Sequence, residues 1–386
     1  MTKRTALIVG AGIGGLAAGV ALRRAGWRVR IFERAAEARA LGFALSLAPN
    51  AIEALRELGL AERLMAEGCV VGQVEIRRAD GSVLKRFDVA AELAQAASVF
   101  ALRRALHGAL LDATEPETLS LGREAAAFEF TDAGVVLTFQ DGRSETGDVL
   151  IGADGVGSAI RRLLHPDEPP PRRSGYFGVR GVAYETTDCL GGLSAVAYLG
   201  HGIEAATVRA SRDAVYWYVS MLSEDLPQMT TDSATVLERC ALLFDAGFEG
   251  IIRATRPDDV RLDEFFERHP IAHWGQDPVT LLGDAAHPML PHMGQGAAQA
   301  LEDAVALGLA LTSGVDAGRS LRAYERVRSA RTERIVKRGP RIAGVTTTKS
   351  GLVGALRTVA IRALPARALA AGFLLARRVD PHRSLR

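Results

Sequence analysis

Thr5-Ala-Leu-Ile-Val-Gly-Ala-Gly-Ile-Gly-Gly15 is the stretch that decides the fold. A short apolar run, Thr5 to Val9, leads into glycines at 10, 12 and 15. Gly10 permits a tight turn, Gly12 leaves room for a pyrophosphate against the backbone, and Gly15 lets the next helix pack closely on the strand. Leu16, Val20 and Leu22 then recur at helical spacing as far as Gly26, and Trp27-Arg-Val-Arg-Ile-Phe-Glu33 reads as a second strand. A strand, glycine turn, helix and strand in this order build a parallel sheet. The helix N-terminus would meet a phosphate. Glu33, at the end of the second strand, would accept hydrogen bonds from both ribose hydroxyls and repel a 2′-phosphate, so the expected dinucleotide is FAD or NAD rather than NADP.

Working outward, Ile52, Leu55 and Leu58 give a helix over Pro49 to Leu58, stopped by Gly59. Asp80-Gly81 separates Val74 to Arg78 from Val83 to Phe87, and Asp141-Gly142 follows the alternating run Val135 to Phe139, so two hairpins are expected. Beyond the break Pro166 to Pro171, a region of mostly β character reaches His269-Pro270, with strands over Gly175 to Tyr184, Ala195 to Leu199 and Ala214 to Met221. The parallel pattern resumes at Val279-Thr-Leu-Leu-Gly283, followed by a long helix from about Gly294 to Thr312. The fold class is therefore mixed α/β, with a Rossmann-like cofactor unit (residues 1–170 and 271–335) interleaved with a β-sheet substrate unit (171–270) and a C-terminal helical extension (336–386).

A formal net charge of +2 over 386 residues, with charges of both signs interspersed, gives no basic footprint for nucleic acid and favours a small-molecule ligand. Cys69, Cys189 and Cys240 are far apart and lack ligand or CxxC spacing, so they read as buried inert thiols, and no metal site is expected. Lys3 and Arg4 precede an apolar run broken by glycines rather than a leader with a cleavage site, and the expected location is cytoplasmic. From Arg334 to Val379 there is no acidic residue, while Arg and Lys recur among Leu, Ile, Val and Ala. Arg357, Arg362, Pro365 and Arg367 interrupt the apolar stretches, which excludes a transmembrane helix. Two readings stay open there: helices packed on the catalytic body, or weak docking to a membrane or a partner. The chain is expected to act as a monomer or homodimer.

Two later segments choose between FAD and NAD. Asp148-Val-Leu-Ile-Gly-Ala-Asp154-Gly-Val-Gly-Ser158-Ala-Ile-Arg161 and Gly283-Asp-Ala-Ala-His-Pro288 resemble the later fingerprints of the class A flavoprotein monooxygenases, the FAD-dependent aromatic hydroxylases that include salicylate, hydroxybenzoate and hydroxynicotinate hydroxylases. The resemblance runs from Thr5 to about Ala330. It implies that Asp284 hydrogen-bonds the ribityl chain of FAD and that Asp154 lies in a segment serving both FAD and the nicotinamide. Arg103, in Phe100-Ala-Leu-Arg-Arg-Ala-Leu-His-Gly-Ala-Leu110, matches a helix-start arginine that contacts FAD, with Arg104 as the neighbouring candidate. Gly42-Phe-Ala-Leu-Ser-Leu-Ala-Pro-Asn50 resembles the loop beside the cofactor. The implied cofactor set is Gly10, Gly12, Ile13, Gly14, Gly15, Glu33, Arg34, Arg103, Asp154, Asp284, Pro291, Gly294, Gln295, Gly296 and Ala297. In Pro288-Met-Leu-Pro-His-Met-Gly-Gln-Gly-Ala-Ala298, backbone N–H groups at the helix start would stabilise negative charge on a reduced flavin. Many relatives carry Asn where this chain has Ala298, so one side-chain contact is missing.

The implied activity is hydroxylation of a small aromatic or heteroaromatic substrate by way of a flavin C4a-hydroperoxide, with NADH or NADPH as transient electron donor and O2 as co-substrate. No second glycine-rich βαβ unit follows the first, which leaves the nicotinamide without its own Rossmann domain and its identity open. Epoxidation or oxygen insertion into an alkene or polyketide ring, or a flavin-linked dehydrogenase, are the alternatives. On the substrate side, alternation sends Tyr216 and Tyr218 to one face and Trp217 to the other. The two phenols can line a cavity or simply pack. Tyr218 and His292 are the candidate catalytic groups, His292 as an acid or base. Arg180, in Phe177-Gly-Val-Arg-Gly181, is a candidate for a substrate carboxylate.

Overall fold

Thr5–Val9 lies at the centre of a five-stranded parallel sheet ordered Val279–Leu281, Val149–Gly152, Thr5–Val9, Arg28–Glu33, Leu119–Leu121. The strands Thr5–Val9 and Val149–Gly152 read as nearly unbroken apolar runs because both faces are covered, and Ala6, Leu7, Ile8, Leu150 and Ile151 are fully buried. The helix Ile13–Arg24 covers one face and packs against the helix Gly296–Thr312. At Gly308 an added Cβ would lie 3.0 Å from the Ala21 Cβ, so a small residue sets that approach. The computed structural model describes residues 4–38, 43–92, 97–228, 232–312 and 316–373; Lys3, Gly42 and residues 374–379 of the acid-free stretch lie outside them.

A seven-stranded sheet forms the second body, in the order Val260–Glu267, Arg172–Tyr184, Ala214–Leu222, Ile203–Arg209, Ala195–Leu199, Gln73–Arg78, Val83–Asp88. Its neighbours are antiparallel except Ala195–Leu199 with Gln73–Arg78. One face packs on the helices Ser233–Ala241 and Ala246–Arg253 through Phe177, Trp217, Cys240, Phe248 and Ile252. Trp217 is fully buried, and a Cβ at Gly181 would meet its indole at 2.7 Å. The opposite face carries Arg180, Tyr216, Tyr218 and Ser220, because Arg180 pairs with Tyr218 across the ladder and side chains alternate along each strand. Two three-stranded sheets complete the β structure among the described residues.

Both hairpins form, with Gly81 and Gly142 at positive φ. Three features depart from the sequence reading. The strands Gln73–Arg78 and Val83–Asp88, placed by chain order in the cofactor unit, complete the large sheet, because Val74 pairs with Ala195 in a long-range parallel ladder that leaves no local turn signal. The β region contains two helices, each opened by an aspartate whose carboxylate accepts a first-turn N–H: Asp232 from Thr235 and Asp245 from Phe248. The line drawn after residue 335 falls inside the 30-residue helix Ala317–Thr346.

The thiols need correction: only Cys240 is buried, Cys69 is half-buried, and Cys189 is exposed on the short turn Thr187–Leu190 at the surface. The helices Gly351–Ala363 and Ala366–Phe373 lie against Val83–Asp88. No helix among the described residues is long and apolar enough to cross a membrane.

Candidate active site

Backbone shape builds the first half of the site. Gly10 has φ +105°, and a Cβ there would lie 2.4 Å from the Ala153 carbonyl oxygen. At Gly15 it would lie 1.9 Å from the Gly10 oxygen, whereas at Gly12 it would meet nothing within 4 Å. The turn is thus closed where helix and strand touch and open where a ligand can approach. Gly14 is also tight, since a Cβ there would lie 2.7 Å from the side chain of Leu282, the residue after the strand Val279–Leu281. Ile13 begins the helix with no side-chain cap, so its first N–H groups remain available.

The turn opens on a cleft of about 760 Å³ lined by Gly12, Glu33, Arg34, Arg103, His107 and Asp154, among others. The Glu33 carboxylate is fixed from two sides, accepting from the Ala11 N–H at 2.9 Å and the Ala35 N–H at 3.0 Å. His107 adds a contact that sequence reasoning missed, with Nε2 2.9 Å from the Ala11 oxygen. The signal was available: His107 lies one helical turn after Arg103, on the same face. Asp154 borders the cleft, but its carboxylate accepts from Ser158 Oγ at 2.5 Å and from the N–H groups of Ala159 and Ile160. Burial raises this carboxyl, and those hydrogen bonds partly offset the rise. Its side chain shapes the loop, leaving the Gly155 and Gly157 backbone toward the cleft.

The second half gathers around Asp284. Gly283 has φ +62°, and the Asp284 side chain is open to solvent although protein surrounds its position. Burial raises the Asp284 carboxyl, and His287 and Arg103 pull it back down. Arg103 is half-buried and lines the dinucleotide cleft; burial lowers its guanidinium, Asp284 raises it and Arg180 lowers it again. It therefore lies electrostatically between the cleft, the Asp284 tip and the seven-stranded sheet that carries Arg180. Arg104 turns away to the Tyr184 hydroxyl at 2.9 Å.

Pro291 is exposed at the start of a short turn that ends at Gly294, φ +60°, and the long helix starts at Gly296, where a Cβ would lie 3.9 Å from Asp284 Oδ1. Gln295 is buried, and its Oε1 accepts from Asn50 at 3.2 Å and Gln299 at 3.1 Å. Ala297 is half-buried and Ala298 is fully buried.

Beneath this tip runs a buried charge network that the sequence reading did not find. Asp303 accepts from the Gly283 N–H at 3.0 Å and from Arg328 Nε at 2.6 Å, and lies 2.6 Å from His287 Nε2. Burial alone would raise the Asp303 carboxyl, but His287 and Arg328 outweigh it and bring it down to about 2. Glu302 joins through Arg328 and Arg331, and its carboxyl is likewise held down against burial. His287 is thus committed to a buried contact with Asp303, and the network fixes the backbone that presents Asp284. The hint was Glu302-Asp303 in an otherwise apolar helix facing arginines at 328 and 331.

The proposed substrate residues share one sheet face. Tyr218 donates to Glu204 Oε1 at 3.0 Å, and Thr346 donates to the other oxygen of Glu204. Burial first, then Glu204, raises the Tyr218 phenol well above 10, so it stays a neutral donor. Tyr216, with its ring 6.2 Å from that of Tyr218, is pushed up to about 12 by burial. Arg180 donates to Asp263, which also binds Arg261 at 2.7 Å, so it is paired rather than free. His292 reaches this face from the Pro291–Met293 turn: Nε2 lies 3.1 Å from Ser220 Oγ, and its ring meets Tyr176 edge-on at 5.1 Å. Burial lowers its pKa, with Glu204 pulling the other way. Its Nδ1 is buried with no hydrogen-bond partner among the described residues.

These residues suit FAD. The open backbone approach at Gly12, the Glu33 carboxylate held against the turn and the Asp284 carboxylate all follow C-terminal strand ends of one parallel sheet, where such ligands bind, and Arg103 lines the cleft beside them. The FAD binding domain family model matches residues 3–339. The chain is 34% identical over 343 residues to the aurachin C monooxygenase/isomerase of Stigmatella aurantiaca, spanning 88% of this chain and 89% of that protein. It is 31% identical over 319 residues to the 6-hydroxynicotinate 3-monooxygenase of Pseudomonas fluorescens, spanning 79% and 81%. The structure of Klebsiella pneumoniae HpxO complexed with FAD and uric acid matches with a TM-score of 0.89 at 26% identity, over 96% of this chain and 95% of that one. A glycine turn, a strand-tip aspartate and a family match across nearly the whole chain lead to one conclusion: this chain belongs to the FAD binding domain family and is an FAD-dependent aromatic monooxygenase.

Proposed function

We propose that the enzyme takes electrons from NADH or NADPH and places one atom of O2 on a small aromatic or heteroaromatic ring, the other atom leaving as water. Bound FAD supplies the redox chemistry and oxygen activation. The protein's part is to hold, orient and keep dry. Gly10, Gly12, Ile13, Gly14 and Gly15 seat the pyrophosphate, with Glu33 and Arg34 at the ribose. Arg103, the Asp154 loop and Asp284 hold the middle of the molecule. Pro291, Gly294, Gln295, Gly296 and Ala297 present backbone donors to the flavin edge.

Tyr216, Tyr218, Arg180 and His292 form the wall against which the ring lies. Tyr218, neutral and already polarised by Glu204, orients a substrate oxygen. His292, held neutral by burial and oriented by Ser220, accepts a proton from a substrate hydroxyl and releases it to solvent. The observation that carries this reading is the position of Arg103, which borders the dinucleotide cleft while feeling both Asp284 and Arg180. In this reading the protein works in the cytoplasm, where nicotinamides are supplied and its three thiols stay reduced.

The test is NADH and NADPH oxidation by purified holoenzyme with a panel of phenols, aromatic acids and N-heterocycles. A true substrate accelerates oxidation and yields a product heavier by one oxygen. If every panel member leaves the rate unchanged, or all consumed oxygen appears as hydrogen peroxide, the hydroxylase reading fails.

A further inference from the structure

The helix Gly351–Ala363 is turned inside out. Leu352 is 72% exposed, Leu356 61% and Val359 63%, and they recur at i, i+4 and i+7 on one face. Ala355, Ala360 and Ala363 fill the same side, and Arg362 is the only polar residue among the helix's exposed positions. The orientation is fixed from beneath: Ile361 is buried, and Arg357 reaches back to the Val345 and Gly200 carbonyl oxygens at 3.1 Å each. Leu364, just after this helix, and Val345, near the end of the preceding one, are exposed as well.

The exposed charges on this helix and on the adjoining ends of its two neighbours in sequence are of one sign. Arg338 and Arg341 near the end of the preceding helix, Arg362 on the stripe's flank and Arg367 on the following helix are all exposed, and none has an ion pair among the described residues. No acidic residue occurs between Arg334 and Val379. Acids on neighbouring elements are few: Glu224 and Asp225 are bonded to Lys349, and Asp88 and Glu92 lie on elements beside the last helix.

We propose that this helix seats on an anionic phospholipid surface, its leucine and valine stripe entering the headgroup boundary while the flanking arginines meet lipid phosphates. At 13 residues it is roughly 20 Å long, short of the roughly 30 Å hydrocarbon core, so it lies flat and does not span. The next helix, Ala366–Phe373, packs Ala366, Leu369 and fully buried Ala370 into the cluster that holds Tyr216 and Tyr218. The docking helix is therefore one element away from the candidate substrate wall. The docking itself does not depend on the reaction proposed above.

The test uses full-length FAD-loaded enzyme floated with phosphatidylcholine vesicles, with or without phosphatidylglycerol. The parent should float with the anionic vesicles and lose that binding in high salt. Leu356→Ser with Val359→Ser should lower partitioning at least about tenfold, since two apolar side chains no longer enter the boundary. Arg362→Gln with Arg367→Gln should weaken binding to anionic vesicles and flatten its salt dependence. Should the serine pair lose its flavin, the arginine pair decides.

The proposal is overturned if the parent does not float, or if both variant pairs float as the parent does. It is overturned equally if light scattering shows a parent dimer that the serine pair dissolves, which assigns the stripe to a second copy. Binding that appears only after removal of residues 374–386 would assign the stripe to the chain's own tail and overturn the proposal as well.

Discussion

The parallel sheet edge and the large antiparallel sheet face meet in one site but are built from different material. At the edge, the geometry is set by backbone: glycines fix which positions stay open, and Glu33 is locked by two N–H groups 22 residues or fewer away in sequence. On the sheet face, the arrangement is set by side chains distant in sequence, with Tyr218, Glu204, Thr346, Ser220 and His292 drawn together by register and loop placement. The edge tolerates little change because its geometry is steric. The face can be revised one residue at a time, which fits the different substrates named for the relatives.

This contrast can be broken in order of severity. Gly15→Val should abolish FAD binding, since a Cβ would fall 1.9 Å from the Gly10 oxygen; visible absorbance of the purified protein checks it. A yellow, folded variant would show that the turn can relax. Arg328→Met should cost roughly 3–5 kcal/mol in chemical denaturation, because it removes the buried cation shared by Asp303 and Glu302 and leaves only His287 and Arg331 beside them. Asp303 also sets a pH signature. Its carboxyl is lowered to about 2, so its contribution is fully present above the ordinary value of 3.8 and is lost as pH falls toward 2. Asp303→Asn should flatten stability across that interval, which acid-titrated unfolding will show.

How much of this was legible follows the same divide. The strand-turn-helix-strand opening, the late Gly283-Asp284 strand tip and both hairpins rest on residues close in sequence, where a glycine or a periodicity carries the signal. Tyr216 and Tyr218 could be placed on one face, opposite Trp217, because strand alternation is local. What stayed hidden is non-local. Nothing in Gln73 to Arg78 says that it pairs with Ala195 to Leu199, and nothing near Tyr218 points to Glu204 and Thr346. Arg180 was readable as a cation but not as the partner of Asp263, since their strands are joined only by folding.

Two smaller effects sharpen the comparison. Asp284→Ala should weaken FAD binding roughly 10- to 100-fold, the loss of one or two charge-assisted hydrogen bonds, as read by flavin fluorescence titration. Tyr218→Phe should change FAD affinity by less than about threefold and act instead on turnover and peroxide release. The opposite ranking would mean that edge and face exchange roles. The smallest effect is on pH: with burial lowering His292 below its ordinary 6.5, the acid limb of turnover should lie below that value, and His292→Asn should remove it.

The central claim is that a single FAD bridges the glycine turn and the Asp284 tip, and a diffraction map of the holoenzyme tests it directly. The account predicts continuous density from the Glu33 carboxylate at the adenosine ribose, past the Gly12 backbone and Arg103, to the ribityl chain beside Asp284. Density that reaches only one of those two carboxylates would contradict it.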